Sequence, residues 1–529
     1  MMSTVIRNAS IVDGTGSPAY VADVFIREGV IQKIAPQITQ AADQTIDATG
    51  LILTPGFIDC NNHADTFWHI FTTPTLPNLV GQGITTIVGG NAGASLAPLA
   101  SPEALLAIQR WTDVQRLNFN WQTYGELAYE VEKRRLSVNF TSLVGQSTLR
   151  RGVMKKPFDP ATDTEVHTMN EWLRRALSDG ALGLSTSVSA AHARATYPSE
   201  LLALLRSVAK RGALYVAYLR DEQSGLINAL RETIGIAGEA RVKLHLSHLK
   251  AVGRSAWAEF PRALDIVAEY PHVTFDIYPY TFTGVTLQGL LPVWLTTGGQ
   301  QALLSRLADS HNVERLVREL SEYQINWDEV ILQMLDKPEL YHERKLGDIA
   351  RDQESDALHT LVRVILATEG RAVLGAPLLS EENIRLALVH PQSIISTNGA
   401  GYQLSEASTG NLAHPRNFGS TARVLAKYVR EEKLLTLEQA VHKMTGKSAA
   451  VFNLSKRGTI REGNFADLVL LDLAKVGEVG DYEDPYHHPT GFVQVWVNGV
   501  PNLTDGLPNG SRSGLTLHRP GRSWFPWMR

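Results

Sequence analysis

Short apolar runs separated by Gly and Asp fill residues 1–55: "STVIRNASIVDG", "VADVFIREGVIQKIA" and "TIDATGLILTPG". β-Branched residues crowd these runs, which predicts strands joined by tight turns. The far end has the same texture in "GTIREGNFADLVLLD" and "FVQVWVNGV". Strand-rich ends around a long middle predict one β-sandwich domain built from both termini, residues 1–55 with 452–529.

Between them, over residues 56–451, short apolar runs alternate with stretches of helical period such as "SELLALLRSVAKRG" and "EFPRALDIVAEY". Eight runs read as strands, around Phe57–Asn61, Ile84–Gly90, Val138–Gly145, Ala181–Thr186, Ala213–Arg220, Val242–Lys250, Val273–Tyr280 and Ser393–Gly399. Eight strand–helix units predict an α/β fold, a (β/α)₈ TIM barrel, with its working residues at the C-terminal strand ends. The interval before the last strand is too long for one connection. It predicts a helical insertion at about 285–390, over the barrel mouth. The final stretch, "SRSGLTLHRPGRSWFPWMR", reads as an extended tail laid on a surface, its own or a neighbour's, and leaves a homodimer open.

Composition narrows the partners. The chain has 529 residues, a net charge of −4 and no basic stripe, which argues against nucleic acid. No run of 18 apolar residues and no apolar signal core are present, so neither a membrane span nor export is expected. A single cysteine excludes an internal disulfide framework and suits a reducing cytoplasm.

Ten motifs then follow one another in a recognisable order: "LTPGFID", "NLVGQGITTIVGGNAG", "GALGLST", "LRDE", "LSHLK", "DIYPY", "HPRNFGSTARVLAKYVRE", "TGKSAAVF", "GTIREGNFADLVLLD" and "PTGFVQVWVNGV". In these the sequence resembles the D-aminoacylase (N-acyl-D-amino-acid deacylase) branch of the amidohydrolase superfamily, over nearly the whole chain. The resemblance implies a metal-dependent barrel with a β-sandwich. The implied ligands do not all carry over. Asn61 stands where the first strand offers a histidine beside His63. Ala92 replaces the cysteine of the second strand, Tyr218 a histidine of the fifth, and Asn398 the aspartate of the eighth. His248 is kept. A catalytic zinc takes about three ligands from His, Cys, Asp and Glu. Without a metal, water keeps a pKa near 15.7 instead of roughly 7. The expectation is therefore that metal and cofactor are both absent.

The resemblance also implies a clamp for a substrate carboxylate: Lys250 after "SH", Tyr280 of "YPY", Thr286 or a neighbour, and Arg416 of "HPR". Cationic and phenolic donors suit that anion. Strand alternation puts Asn61 with His63, Tyr218 with Arg220, His248 with Lys250, and Tyr278 with Tyr280. It turns Cys60 away from the mouth and His245 away from His248, which makes His245 structural. Asn61 and Asn398 keep the size of His and Asp and suit an uncharged hydrogen-bonded pocket. Arg220, Asp221 and Glu222 read as an ion-pair network. His69 and His192 lie near strand ends.

The expected protein is a metal-independent amidohydrolase-fold enzyme for a small carboxylate-bearing, amino-acid-derived substrate. His248, Tyr218 and His63 would carry acid–base chemistry, and Lys250, Tyr280, Thr286, Arg416, Asn61 and Asn398 would bind. Cyclisation, condensation, dehydration and lyase-type cleavage fit that set. Two alternatives stay open: a metal-dependent N-acyl-D-amino-acid deacylase with a rebuilt zinc site, and a ligand-binding pseudoenzyme.

Overall fold

Strands from the two ends of the chain are hydrogen-bonded into one nine-stranded sheet in the computed structural model. The structure describes residues 3–519 apart from 109–111, 113, 115–116, 190–192, 194, 324, 336–340 and 342–343, and the side chains of 285, 286, 288 and 289 are likewise outside it. Thr4–Ile11 is the junction: it pairs antiparallel with Tyr20–Arg27 and parallel with both Gln44–Asp47 and Ile52–Pro55. Ile52–Pro55 in turn pairs with Leu468–Leu471, which brings the C-terminal strands in.

The run "LVLL" is apolar throughout because both of its faces are covered. Leu468 and Leu470 join Ile11, Val24 and Trp496 in the core of the sheet domain, whereas Val469 and Leu471 join the core of the barrel. One strand thus fastens the two domains together.

The barrel strands are β1 (Phe57–Asp59), β2 (Ile84–Gly89), β3 (Asn139–Ser142, continued by Val144–Gly145), β4 (Gly183–Ser187), β5 (Leu214–Tyr218), β6 (Lys243–Leu246), β7 (Thr274–Ile277) and β8 (Ser393–Ile395). Neighbouring strands are parallel. The ring closes between β8 and β1, where Asn62 bridges Gly399 and the His63 amide donates to the Gly399 carbonyl at 2.7 Å. Surrounding helices start on side-chain caps legible in the sequence: Thr123 with Glu126 and Thr162 with Glu165 form capping boxes.

Between β7 and β8 the chain builds a separate layer with its own core, including Leu303, Leu316, Leu320, Leu361 and Ile365. It is not purely helical, as the sequence had suggested. Thr283–Thr286, Ile331–Leu335 and Ala372–Ala376 form a three-stranded antiparallel sheet, because "ILQML" and "AVLGA" satisfy their backbone groups by pairing across the insertion. The C-terminal stretch lies on its own barrel: Leu517 N donates to Phe140 O at 2.7 Å and Arg519 N to Gly180 O at 3.1 Å. No described helix is long and apolar enough to cross a membrane.

Candidate active site

Four side chains meet at the mouth. The segment after β1 carries Asn61 and His63, β5 ends at Tyr218, and the loop after β8 carries Asn398. His63 Nε2 lies 2.8 Å from Asn398 Oδ1. A carboxamide oxygen only accepts, so the imidazole presents an N–H there. The Tyr218 hydroxyl donates to Asn61 Oδ1 at 3.1 Å, with His63 Nε2 and Asn398 Oδ1 each 3.4 Å away. Asn61 spans two layers, since its Nδ2 also donates to Asp276 Oδ1 at 3.3 Å, below the mouth.

Asp276 is held by His245 Nε2 at 3.1 Å and by the Ser396 hydroxyl at 2.5 Å. Burial pushes the Asp276 carboxyl up, but the bond and charge of His245 outweigh it and leave it at about 2. A buried carboxylate therefore fixes the direction of the Asn61 amide. His245 sits beneath the site, with its ring edge-on to Phe452.

A second cluster adjoins the first. The Tyr218 ring packs on His248 with centroids 3.7 Å apart. His248 Nδ1 lies 3.0 Å from Glu222 Oε1, and Lys250 Nζ lies 2.7 Å from Glu222 Oε2. Burial alone would raise the Glu222 carboxyl; the opposing pull of Lys250 and His248 is stronger and brings it to about 2. Burial lowers the Lys250 ammonium, and Glu222 works against that shift. The two directions belong to one coupled pair, and the geometry favours the ionised form of both. Glu222 was expected to pair within "RDE". Instead Arg220 pairs with Glu232 at 3.0 Å, because the helix Leu226–Ala240 brings that carboxylate alongside.

Behind His248, Lys250 and Tyr278 lies a small, mostly apolar cleft walled by Phe260, Ile277 and Leu379. Arg416, at the N-terminus of the helix Arg416–Arg423, stacks 5.1 Å from the Tyr278 ring centroid. Its Nε and Nη1 are buried and have no hydrogen-bond partner.

Not every expected residue reaches the mouth. Tyr280 does not offer its hydroxyl there, because it donates to Glu478 at 2.6 Å, and Glu478 also holds Arg423 at 3.0 Å. Tyr278 takes the position beside Arg416. The Thr286 side chain and His192 lie outside the described residues. His69 packs half-buried against Tyr402, with ring centroids 4.8 Å apart, and desolvation lowers its pKa to about 3. Cys60 is buried, and burial drives its thiol well above the ordinary range. Sequence reasoning missed Asp276 and Glu478. Asp276 shares strand parity with Tyr278 and was open to the same test; Glu478 carried no local signal.

The backbone is held unusually here. Ala92, His248 and Asn398 have φ of 53°, 39° and 48°. Asparagine tolerates the left-handed region, but alanine and histidine do so at a cost of about 1–3 kcal/mol each.

The chain matches the amidohydrolase family over residues 44–322 and 407–501. It is 30% identical to the N-acyl-D-aspartate deacylase of Alcaligenes xylosoxydans xylosoxydans, over 99% of this chain and 96% of that one. A solved structure of N-acyl-D-glutamate deacylase from Bordetella bronchiseptica, complexed with zinc and a phosphonate mimic of the tetrahedral intermediate, superposes with a TM-score of 0.82 at 28% identity, covering 98% of this chain and 99% of that one. A D-aminoacylase structure concerned with its binuclear metal centre gives 0.82 at 27%, covering 98% and 100%.

These relatives overturn the expectation of metal-independent chemistry without a cofactor, since they are deacylases whose structures hold zinc or a binuclear metal centre. Metal-dependent deacylation is the better-supported of the readings. The side chains here nevertheless do not fit a zinc site. Asn61, His63, Tyr218 and Asn398 offer one imidazole, two carboxamides and a phenol. Among the described residues no three His, Cys, Asp or Glu side chains gather as a metal would need.

Proposed function

The chain belongs to the amidohydrolase family, and from that premise we propose that it cleaves the amide bond of N-acylated amino acids, as the N-acyl-D-amino-acid deacylases similar to it do. The observation that carries this reading is Arg416. Arg416 Nε and Nη1 are buried without an acceptor, and an anionic group such as a carboxylate supplies one to this guanidinium. Lys250 adds a second cation, already balanced by Glu222. The apolar walls of Phe260, Ile277 and Leu379 beside them offer a surface for a hydrocarbon group.

With the carboxylate held, the scissile amide lies towards Tyr218 and His63. The phenol O–H and the imidazole N–H now point at the oxygens of Asn61 and Asn398. A substrate carbonyl oxygen entering between them takes both bonds, and the site stabilises the negative charge that grows on it. Overall, water adds across the amide, the C–N bond breaks, and a carboxylic acid and a free amino acid leave. The relatives' metal would activate water and polarise the carbonyl; the donors present here do not match it.

The test is release of free amino acid from N-acetyl-D-leucine, N-acetyl-D-aspartate and N-acetyl-D-glutamate, with and without added zinc. Release from at least one is expected. No release from any of them under either condition rejects the proposal.

A further inference from the structure

The insertion presses one polar side chain against the mouth. Gln333 lies in Ile331–Leu335 where the pairing with Ala372–Ala376 slips: Leu332 faces Leu374, Met334 faces Val373, and Gln333 is the extra residue of a β-bulge. A bulge breaks the alternation of the strand and re-aims one side chain. Gln333 is 2% exposed, and its Nε2 has no hydrogen-bond partner. Folded proteins rarely bury an amide donor unmet.

Two glycines make room for this carboxamide. Gly284 and Gly375 face each other across neighbouring strands of the small sheet. A Cβ on Gly375 would stand 2.9 Å from Gln333 Nε2; one on Gly284 would stand 3.2 Å from Gln333 Oε1 and 3.5 Å from Arg416 Nη2. The carboxamide therefore runs along a lane without side chains, towards the guanidinium. The backbone ties the same parts together. Leu412 N donates to Gln333 O at 2.7 Å, and Leu335 N donates to Asn411 Oδ1 at 2.8 Å. The loop that delivers Arg416 is thus an extension of the bulged strand.

We infer that Gln333 is a substrate-binding residue that joins Arg416 in holding the carboxylate of the N-acyl amino acid. This rests on the deacylase reading and adds to it a contact from the insertion. Gln333 Oε1 is the atom on the Arg416 side here and Nε2 lies on the Gly375 side, so a half-turn of the amide brings the N–H group to a carboxylate held there; the anion then meets the Arg416 cation and a neutral donor. Insertion and barrel then meet on one anion. An apolar thioether side chain of similar length, as in methionine, would fill the lane as well and donate nothing, which separates binding from packing.

The experiment is calorimetric titration of N-acetyl-D-leucine and N-acetyl-D-aspartate into the full-length protein and its variants, with turnover and thermal melting measured alongside. Gln333→Met is expected to bind at least about tenfold more weakly while melting near the parent. Gln333→Glu keeps the shape, engages the Arg416 N–H groups itself, and should bind more weakly still; it carries the comparison if Gln333→Met does not fold. Gly284→Ala, which blocks the lane from another strand, should also weaken binding. At saturating ligand kcat should stay within about threefold, as loss of ground-state binding requires. If both Gln333 variants bind as the parent does, the inference falls, and the deacylase reading stands wherever the parent releases amino acid. If the variants lose affinity but the parent releases none, the inference stands and the deacylase reading falls. If the parent binds neither ligand, both fall.

Discussion

His63 Nε2 and Asn398 Oδ1 lie 2.8 Å apart across the seam where the barrel closes. The contact joins an imidazole to a neutral amide, where a carboxylate would complete a metal ligand set. Restoring donors should restore zinc retention. Asn61→His, Ala92→Cys, Tyr218→His and Asn398→Asp combined are expected to retain at least about tenfold more zinc after dialysis than the parent. Elemental analysis by mass spectrometry measures this, and equal retention would show that these four side chains are not the limit.

Tyr218→Phe removes the hydroxyl that reaches Asn61, His63 and Asn398 while keeping the ring on His248. Loss of one donor at a developing oxyanion lowers kcat by about a hundredfold, with KM nearly unchanged. Steady-state kinetics on whichever N-acyl amino acid turns over checks both numbers. A rise confined to KM would place the phenol in ground-state binding instead.

Arg416→Lys keeps the charge and loses the planar pair of donors. KM should rise about tenfold to a hundredfold, because an ammonium does not reproduce bidentate geometry. Unchanged KM would remove Arg416 from the carboxylate site.

Glu222 titrates at about 2 in the fold against an ordinary 4.5. A carboxyl depressed in this way contributes stability that is present above 4.5 and lost as pH falls towards 2. Urea melts from pH 5 to pH 2.5 should show that loss in the parent and less of it in Glu222→Gln. The same substitution leaves Lys250 without its counter-charge, and breaking a mostly buried pair costs about 3 kcal/mol at neutral pH. Identical pH profiles would refute the assignment.

Asp65 has the opposite sign. Burial raises its carboxyl from 3.8 to about 6, against the backbone N–H groups of Gly90, Thr66 and Asp65 itself. The folded state holds this proton more tightly, so Asp65 favours the fold below pH 3.8 and that contribution fades as pH rises through 6. Asp65→Asn keeps an oxygen for the Gly90 N–H, 2.7 Å from Oδ2, and carries no charge. Its melting temperature is expected to gain on the parent as pH climbs from 4 to 8. A constant difference across that range would count against a raised carboxyl.

The sequence by itself determined the barrel and the shared sheet of the two ends, and it grouped strand residues by face. Periodicity is local: a strand buried on both faces must be apolar, and alternation then sets Asn61 with His63 and His248 with Lys250. Partners are not local. Glu222 lies near Arg220 in the chain yet binds His248 and Lys250, and the Tyr280 hydroxyl donates a hydrogen bond to Glu478, 198 positions away. Gln333 looks in sequence like any polar residue of a short strand, and only a slip in pairing turns it into the lane left by Gly284 and Gly375. The tertiary structure decided these matters because a side chain takes whichever partner the closed chain delivers within about 3 Å, and that delivery depends on loops and helices that no window of sequence contains.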